Sequence, residues 1–361
     1  MAKMPQQCSR CFQLSEPLSF YQKEGNFMNF TTNEKTGVSE GFCLIKTCDK
    51  KQTARGVPYL DLVLTDQSGE ISAKLWDYKE EAQGSFAAND LVKVRGRIDV
   101  YNGADQLRID RIRQVVPSDN VEMSDYVPSA AYDGAWMLSE IRSLVAAFEN
   151  ADLKELVTEL LNEYEEQLLY WPAAFKLHHA IRGGLLCHTL SIVRLAQGVC
   201  TVYPFIDQEL LLSGAILHDI AKIEEFTVSS TGIASGYTAQ GMLIGHLASG
   251  AMAVDRAARR LGTPQETAML VEHMLLSHHG DPEFGAAVRP MFLEAELLSE
   301  LDLMDARIYE MAQAVQTTQP NGFSPRQWAL ENRKLYNHAR REVAPRAMLQ
   351  KPGSGMDHSE G

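Results

Sequence analysis

The sequence predicts a multi-domain chain of α and β structure, in which a small five-stranded β-barrel is followed by an all-α helical bundle. Two observations predict this architecture. Residues 40–116 contain short apolar runs, several of which alternate with period two, whereas apolar residues recur at spacings of three and four beyond Trp136. At 361 residues the chain is long enough for two domains with a core in each.

Changes in composition along the chain define its segments. We predict an N-terminal segment over 1–35, a barrel domain over 36–117, a linker over 118–134, a helical domain over 135–342 and a disordered tail over 343–361. The linker is polar, and the tail is rich in glycine, serine and charged residues.

The barrel prediction depends on five strand-like runs and the turns between them. The runs lie at 42–46, 59–64, 70–76, 91–98 and 106–109. The second and third flank the turn sequence Asp66-Gln67-Ser68-Gly69, and Asn102-Gly103 separates the last two, so each pair predicts a hairpin. Five short strands in succession are typical of a closed barrel.

The helical domain is predicted from its 3.6-residue periodicity. Beyond the first two helical stretches, helices are predicted at about 184–200, 207–223, 240–261, 264–279, 293–316 and 325–342.

Composition limits the class of protein. A hydrophobic content of 45% and a charged content of 22% are ordinary for a globular protein, and no basic-then-apolar leader is present. No apolar stretch reaches the ~20 residues of a membrane span. We therefore expect a cytoplasmic protein with no membrane partner. The net charge of −13 argues against bulk attraction to nucleic acid but does not exclude a local basic surface.

Cys8 and Cys11 form a CxxC motif near the N-terminus. Two interpretations stay open: half of a small zinc site, or two free thiols in a reducing compartment. Half a ligand set does not decide between them.

The most informative feature is an ordered set of metal-ligand residues in the helical domain. The set consists of His188, the pair His218-Asp219, His246, the pair His278-His279, and a final carboxylate that is either Asp302 or Asp305. The members are spaced so that they fall on successive helices of one bundle and can face a common centre. Imidazole and carboxylate together bind divalent metals of intermediate hardness. The set therefore predicts a metal-dependent hydrolase.

Two further polar groups accompany this set. Lys222 lies four residues after His218 and three after Asp219, so all three can share a helix face. Its ammonium group can hold a phosphate oxygen or pair with Asp219. His178 and His179 can line a substrate pocket or be structural, and the sequence does not decide.

The order of His188, His218-Asp219 and Asp302 resembles the HD-domain superfamily of metal-dependent phosphohydrolases. The resemblance covers about residues 135–340 and implies that these four residues bind a first metal. His246 and His278-His279 resemble the additional ligands of members with room for a second metal. His218, Asp219 and Lys222 would then be the catalytic residues.

The barrel region resembles an OB-fold, which often binds single-stranded nucleic acid. Lys93, Arg95 and Arg97 alternate on one strand, Arg108 follows on the next, and Trp76 and Tyr101 offer rings for base stacking. As a set they favour a nucleic-acid surface, although each alone could belong to a solvated strand face or, for Trp76, to the core.

An OB-fold followed by an HD domain resembles the YhaM-type 3′–5′ exoribonuclease family. The resemblance includes Glu40-Gly41-Phe42, residues 68–77, residues 170–174, residues 216–222 and residues 276–280. It implies hydrolysis of terminal phosphodiesters of single-stranded RNA, and conceivably of DNA, to nucleoside monophosphates. His/carboxylate sites suit manganese, and the family points to the same metal, as one ion or two.

Two alternative functions stay open at this stage. The HD domain could hydrolyse free nucleotides or cyclic dinucleotides, or the chain could be a nucleic-acid-binding regulator without catalytic activity. The sequence does not decide whether the protein forms a homo-oligomer.

Overall fold

A computed structural model describes residues 30–349 apart from Gln67, Asn102 and residues 176–178. Within this range the predicted architecture is confirmed, with a closed barrel at the N-terminal side and a helical domain after it. Cys8 and Cys11, and with them the prediction of a zinc site, lie outside the described residues, as does His178.

Five strands close the barrel, and a short strand before them pairs antiparallel with the first of the five. The strands are β1 (Thr31–Asn33), β2 (Val38–Gln52), β3 (Pro58–Asp66), β4 (Gly69–Trp76), β5 (Leu91–Tyr101) and β6 (Ala104–Gln114). The sheet order is β1-β2-β3-β4-β6-β5, and an additional β2–β5 pairing closes the barrel. A one-turn helix, α1 (Glu80–Gln83), connects β4 to β5. Both predicted hairpins are present.

Alternation places one face of each strand inside the barrel. On β3, Leu60, Leu62 and Leu64 are fully buried, whereas the residues between them point outward. Gly96 on β5 lies so close to β6 that a Cβ atom there would be 2.2 Å from the carbonyl oxygen of Arg108. A bulge occurs at this point, between Arg95 and Gly96.

The second domain is mainly helical. Its helices are α2 (Gly134–Ala146), α3 (Ala151–Glu163), α4 (Glu165–Leu168), α5 (Gly184–Val202), α6 (Gln208–Leu217), α7 (Lys222–Glu225), α8 (Ala239–Leu243), α9 (Gly245–Leu261), α10 (Gln265–Ser277) and α11 (Leu293–Gln316). The sequence prediction did not include a small hairpin between α7 and α8, formed by β7 (Phe226–Val228) and β8 (Ala234–Tyr237).

Helix α5 runs through the core of this domain. Among the described residues it alone is long and apolar enough to cross a membrane by length and composition, and 61% of its apolar window is buried inside the structure. Its side chains pack in the main hydrophobic cluster of the domain, which accounts for its apolar character.

The helix predicted over 325–342 is wrong. Residues 321–337 instead form an irregular hairpin, with isolated bridges pairing Phe323 with Tyr336 and Gln327 with Arg333. Pro325 has no N–H to donate, and Glu331 and Asn332 have positive φ angles of 54° and 57°, which a helix does not contain. Leu330 and Leu335 of this hairpin are buried against the end of α11.

Residues 343–349, expected to belong to a disordered tail, contact the helical domain. Leu349 is buried in its core cluster, and the backbone N–H of Leu349 donates to the hydroxyl of Tyr132 at 3.2 Å. The rest of the tail, residues 350–361, lies outside the described residues.

Candidate metal centre

Five helices bring the predicted ligands to one place. His188 lies on α5, His218 and Asp219 follow the end of α6, His246 begins α9, His278 and His279 follow the end of α10, and Asp302 and Asp305 lie on α11. All are buried or partly buried. The sequence spacing therefore predicted the convergence correctly, since each helix contributes one or two groups.

Asp219 lies between two groups of histidines. Its Oδ2 atom is 3.3 Å from Nε2 of His218 and 3.8 Å from Nε2 of His188. Its Oδ1 atom is 3.4 Å from Nε2 of His246 and 3.7 Å from Nε2 of His278. One carboxylate thus presents a different oxygen to each side of the centre.

Two compact sets of donor atoms result. The ligand atoms of His188, His218 and Asp219 all lie within 4.8 Å of one another, and those of His246, His278 and His279 do so as well. This arrangement has room for one ion in each set, with Asp219 between them.

Most of these imidazoles are oriented by a hydrogen bond from Nδ1. Nδ1 of His218 donates to the carbonyl of Ala215 at 2.9 Å, and Nδ1 of His278 donates to the carbonyl of Leu275 at 2.8 Å. Because a carbonyl oxygen only accepts, Nδ1 carries the proton and Nε2 has a free lone pair. His279 is held in the same way by the carbonyl of Phe284 at 3.1 Å. Such hydrogen bonds are typical of metal-ligating histidines.

The residues present fit a divalent metal. Nε2 of His218, Nε2 of His246, Nε2 of His278 and Oδ1 of Asp219 are buried and have no hydrogen-bond partner among the described residues. Buried polar atoms without partners are costly, and a cluster of them on ligand-type side chains requires an explanation. Cations held by the two donor sets would satisfy all four.

The two carboxylates of α11 have different surroundings. Oδ1 of Asp302 faces Nε2 of His188 at 3.0 Å, on the side of the first donor set. Asp305 instead accepts from Nδ1 of His188 at 2.7 Å, from the hydroxyl of Ser191 at 2.5 Å, and contacts Nε2 of His179 at 3.2 Å. The geometry favours Asp302 as the ligand and Asp305 as the residue that orients His188.

The two carboxylates of α11 make the surroundings of His188 favourable for positive charge. Burial alone lowers the pKa of an imidazole, but the hydrogen bonds and charges of Asp302 and Asp305 outweigh it and raise the pKa of His188 to about 10. Burial and the neighbouring His218 and His279 lower the pKa of His278 well below its usual value, which keeps this ring neutral and able to ligate.

Lys222 is partly buried beside Asp219, with 2.6 Å between Nζ and Oδ2. Burial lowers the pKa of Lys222, but the charge and hydrogen bond of Asp219 outweigh this effect and raise it, so the side chain is a cation. The carbonyl of Lys222 also accepts from Nε1 of Trp171 at 2.9 Å, which fixes the backbone here. Of the two interpretations made from the sequence, the pairing with Asp219 is therefore present in the structure, and the contact with a phosphate oxygen stays a prediction.

His179 is buried and lies at the edge of the centre. Its ring contacts Asp305 and stacks near Tyr309, with 4.1 Å between ring centroids. Its position supports the structural interpretation over direct contact with a substrate.

Sequence reasoning missed several supporting residues. Oε2 of Glu225 lies 3.0 Å from Nδ1 of His246, and Ser191 and Tyr309 complete the surroundings of Asp305 and His179. Glu225 sits in an acidic pair and Ser191 in an apolar helix, so neither has a sequence pattern that indicates its role.

The start of α5 depends on a close approach that only glycine permits. A Cβ atom at Gly184 would be 2.0 Å from the carbonyl oxygen of His179, so Gly184→Ala must displace the segment that carries His179 or the helix that carries His188. We expect a loss of about 2 kcal/mol in the free energy of unfolding. Gly198 lies on the same helix, and a Cβ atom there would have no described residue's atom within 4 Å. Gly198→Ala should therefore raise the free energy of unfolding by about 0.5–1 kcal/mol. Denaturant titration of both variants checks this; equal effects would contradict it.

The predicted cations of the nucleic-acid surface lie in facing pairs on β5 and β6, on the outside of the barrel. We call these pairs, Lys93–Arg113, Arg95–Arg111 and Arg97–Arg108, the ladder. Arg97 on β5 pairs across the strands with Arg108 on β6, and Arg95 pairs with Arg111. All four side chains are exposed. Lys93, in turn, pairs across with Arg113 and forms an ion pair with Glu40 at 2.7 Å. Cationic side chains thus lie directly opposite one another over three successive outward positions.

Aromatic rings border this ladder. Lys74 on β4 lies beside Arg108, and its Nζ is 5.2 Å from the ring centroid of Tyr59 and 5.5 Å from that of Trp76. Trp76 is 40% exposed and packs against Tyr59, so it belongs to the surface and not to the core. Tyr101, at the tip of the hairpin, is 62% exposed.

A cavity of about 560 Å³ opens at the other end of the ladder. Lys93 and Arg95 line it, together with Phe42 and Tyr126. Its size is in the range of small-molecule sites, and it combines cations with aromatic rings.

Comparison with known proteins agrees with the fold and the site. The family model described as HD domain matches residues 185–307, which include every ligand candidate named above. The protein of Listeria welshimeri named 3′-5′ exoribonuclease YhaM is 38% identical over 314 residues, covering 87% of this chain and 98% of that protein. The protein of the same name from Bacillus subtilis strain 168 is 35% identical over 295 residues, covering 82% and 93%.

The helical domain is therefore an HD domain, of the class of metal-dependent phosphohydrolases, preceded by an OB-type barrel. Because the similarity extends over both domains and almost the full length of the relatives, the chain belongs to the YhaM 3′–5′ exoribonuclease family.

Proposed function

We propose that this chain is a metal-dependent 3′–5′ exoribonuclease that removes nucleoside monophosphates from single-stranded RNA. The observation that carries the proposal is the buried centre in which Asp219 presents one oxygen to each of two donor sets. The names of the relatives favour this function over hydrolysis of free nucleotides and over a non-catalytic regulator.

The residues would hold up to two divalent ions. His188, His218, Asp219 and Asp302 would bind one, and His246, His278, His279 and the second oxygen of Asp219 the other. A divalent ion in such a site lowers the pKa of water so that a nucleophile is available near neutral pH, and stabilises charge on phosphate oxygens. We propose manganese, because imidazole with carboxylate suits it and the family resemblance points to the same ion.

Other side chains and backbone groups of the protein orient the ligand rings and neutralise charge on the phosphate. Asp305 fixes the ring of His188 through Nδ1, and backbone carbonyls fix the rings of His218 and His278, so the donor atoms are positioned before any substrate binds. Lys222 is a partly buried cation beside Asp219, in a position to bind a non-bridging oxygen of the scissile phosphate. We assign it this role in addition to its structural pairing.

The barrel would hold the strand. Like charges directly opposite each other on a sheet are unfavourable, and bound phosphates would relieve the repulsion between Arg97 and Arg108. The rings of Trp76 and Tyr101 would stack on bases, which is largely independent of sequence. The same surface could accept single-stranded DNA, because stacking and phosphate contacts do not distinguish the sugars.

Removing two cations from the ladder should weaken binding of RNA in a salt-dependent way. For Arg97→Ala/Arg108→Ala we expect a higher KM for single-stranded RNA and a salt dependence whose log–log slope is smaller by about 1.4, the contribution of two phosphate contacts to a single strand. Arg259→Ala, which removes an exposed cation from α9, is the matched control and should leave both unchanged. An unchanged salt slope in the double variant would exclude the ladder from RNA binding.

The direction of degradation is tested with end-labelled RNA. A 5′-labelled single strand should give a descending ladder, whereas a 3′-labelled one should release labelled mononucleotide from the earliest time points. An RNA duplex should resist. Early release of mononucleotide from the 5′ label would contradict the proposed direction, and intermediate fragments from both labels would indicate an endonuclease. Cytoplasmic location and homo-oligomerisation stay predictions.

A further inference from the structure

The region that contains most of the segment wrongly predicted as a helix carries an unusual surface. We name residues 319–341 the C-terminal arm. It contains five cationic side chains, Arg326, Arg333, Lys334, Arg340 and Arg341, against one carboxylate, Glu331. The whole chain, in contrast, has a net charge of −13. The arm is therefore a local basic region in an acidic protein.

Most of the charge on the arm is not neutralised. Glu331 contacts Arg307 of α11 at 3.2 Å and Arg333 at 3.3 Å. Lys334, Arg340 and Arg341 are exposed and take part in no ion pair with the described residues. Three cations are thus available for an anionic partner.

Large aromatic rings lie among these cations. Trp328 is 73% exposed, Phe323 is 66% exposed and Tyr336 is 47% exposed. The rings of Phe323 and Tyr336 lie across the hairpin from each other, with 5.0 Å between centroids. A single exposed ring is common on a protein surface, whereas three exposed rings on one short hairpin indicate a surface for a contact.

The arm is held firmly against the catalytic domain. Leu330 and Leu335 are buried against Ala314 at the end of α11, and the amide of Asn337 donates to the carbonyl of Thr318 at 2.8 Å. Helix α11 also carries Asp302 and Asp305, and Arg307, which contacts the arm, is only two residues beyond Asp305. The arm is therefore connected rigidly to the helix that supplies a ligand to the metal centre.

We propose that the C-terminal arm is a second binding surface for single-stranded RNA, separate from the barrel. Cations would contact phosphates, and the rings of Trp328, Phe323 and Tyr336 would stack on bases. This inference rests on the proposed exoribonuclease function and adds to it: the strand would be held on the catalytic domain as well as on the barrel.

Charge favours RNA over a second copy of the chain as the occupant of this surface. A two-fold symmetric contact centred on the arm would place it against the arm of its partner, and so cations against cations. Single-stranded RNA has the opposite charge and exposed base faces, which match both components of the surface.

The test compares two arm variants with matched controls in the full-length, manganese-loaded protein. The variants are Arg340→Ala/Arg341→Ala and Trp328→Ala. The controls are Arg259→Ala, an exposed cation on α9, and Phe205→Ala, a 75% exposed ring between α5 and α6. For each protein, kcat and KM are measured with a long single-stranded RNA and with a dinucleotide, at several salt concentrations.

We expect the ratio of KM for long RNA to KM for the dinucleotide to rise about fivefold or more in Trp328→Ala, because stacking is lost. In the arginine variant the log–log salt slope for long RNA should fall by about 1.4. The controls should match the wild type. Unchanged ratios and slopes in both arm variants, with the wild type active, would overturn the inference while leaving the proposed function intact.

A different result is expected if a second copy of the chain, and not RNA, binds to the arm. The mass of each protein in solution is measured by light scattering in the same samples. If the wild type is an oligomer and Trp328→Ala is a monomer, the arm is a contact between copies and the RNA proposal is wrong. A wild type that degrades no RNA at all would instead refute the proposed function.

Discussion

Replacing Asp219 by asparagine is expected to abolish RNA degradation and metal binding together. Asp219 contributes an oxygen to each donor set, so its loss weakens both. Loss of a residue that only supports a metal ligand costs about 10- to 100-fold in affinity or activity, and a ligand shared by both sets should cost more than ~100-fold.

Asparagine is the informative substitution because it separates charge from shape. Breaking a fully buried ion pair by removing one partner costs about 3–5 kcal/mol, which is an upper limit for the pair of Asp219 with the partly buried Lys222, 2.6 Å apart. The amide oxygen of asparagine can still accept from Nζ of Lys222, which limits the loss of stability. Asp219→Ala would leave Lys222 without this acceptor.

Three measurements on Asp219→Asn check the prediction. Activity is assayed on single-stranded RNA, metal content is determined by mass spectrometry, and folding is followed by thermal melting without metal. Asp255→Asn, a carboxylate on the surface of α9, is the control and should behave as the wild type. A folded Asp219→Asn protein that retains both its metal and its activity would contradict the assignment of Asp219.

The second large effect concerns the two carboxylates of α11. Asp302→Asn removes the oxygen that faces Nε2 of His188 and should reduce activity more than ~100-fold, because one donor set then loses a ligand. Asp305→Asn changes only the group that orients His188 through Nδ1, so we expect a loss of about 10- to 100-fold.

Metal titration distinguishes these two roles. If Asp305 positions His188, the defect of Asp305→Asn should appear as weaker metal affinity, and excess manganese should restore most of the activity. Excess metal should not restore Asp302→Asn. The opposite pattern, with Asp302→Asn rescued and Asp305→Asn not, would make Asp305 the ligand.

The sequence was informative where chemistry restricts residue identity. Few side chains bind divalent metals, so His188, His218-Asp219, His246 and His278-His279 could be recognised from type and spacing before the helices were known. The barrel was predictable for a similar reason, because the alternation along β3 and β5 has to match the pleat.

What could not be predicted depends on packing between distant segments. Asp302 and Asp305 are spaced by three, and only the rotation of α11 relative to α5 decides which oxygen faces which nitrogen of His188. Glu225 reaches His246 because a short hairpin reverses the chain between them. In the arm, the burial of Leu330 and Leu335 against α11 and the positive φ of Glu331 determine a hairpin where the sequence predicted a helix.

The most direct test of the metal centre is a manganese titration of metal-stripped protein. The decay of a 5′-labelled single-stranded RNA is followed on a gel for the wild type and for Asp219→Asn. We expect no ladder without metal, a descending ladder that grows with added manganese in the wild type, and none in the variant. A ladder from the metal-stripped wild type, or an equal ladder from Asp219→Asn, would show that this centre does not perform the hydrolysis.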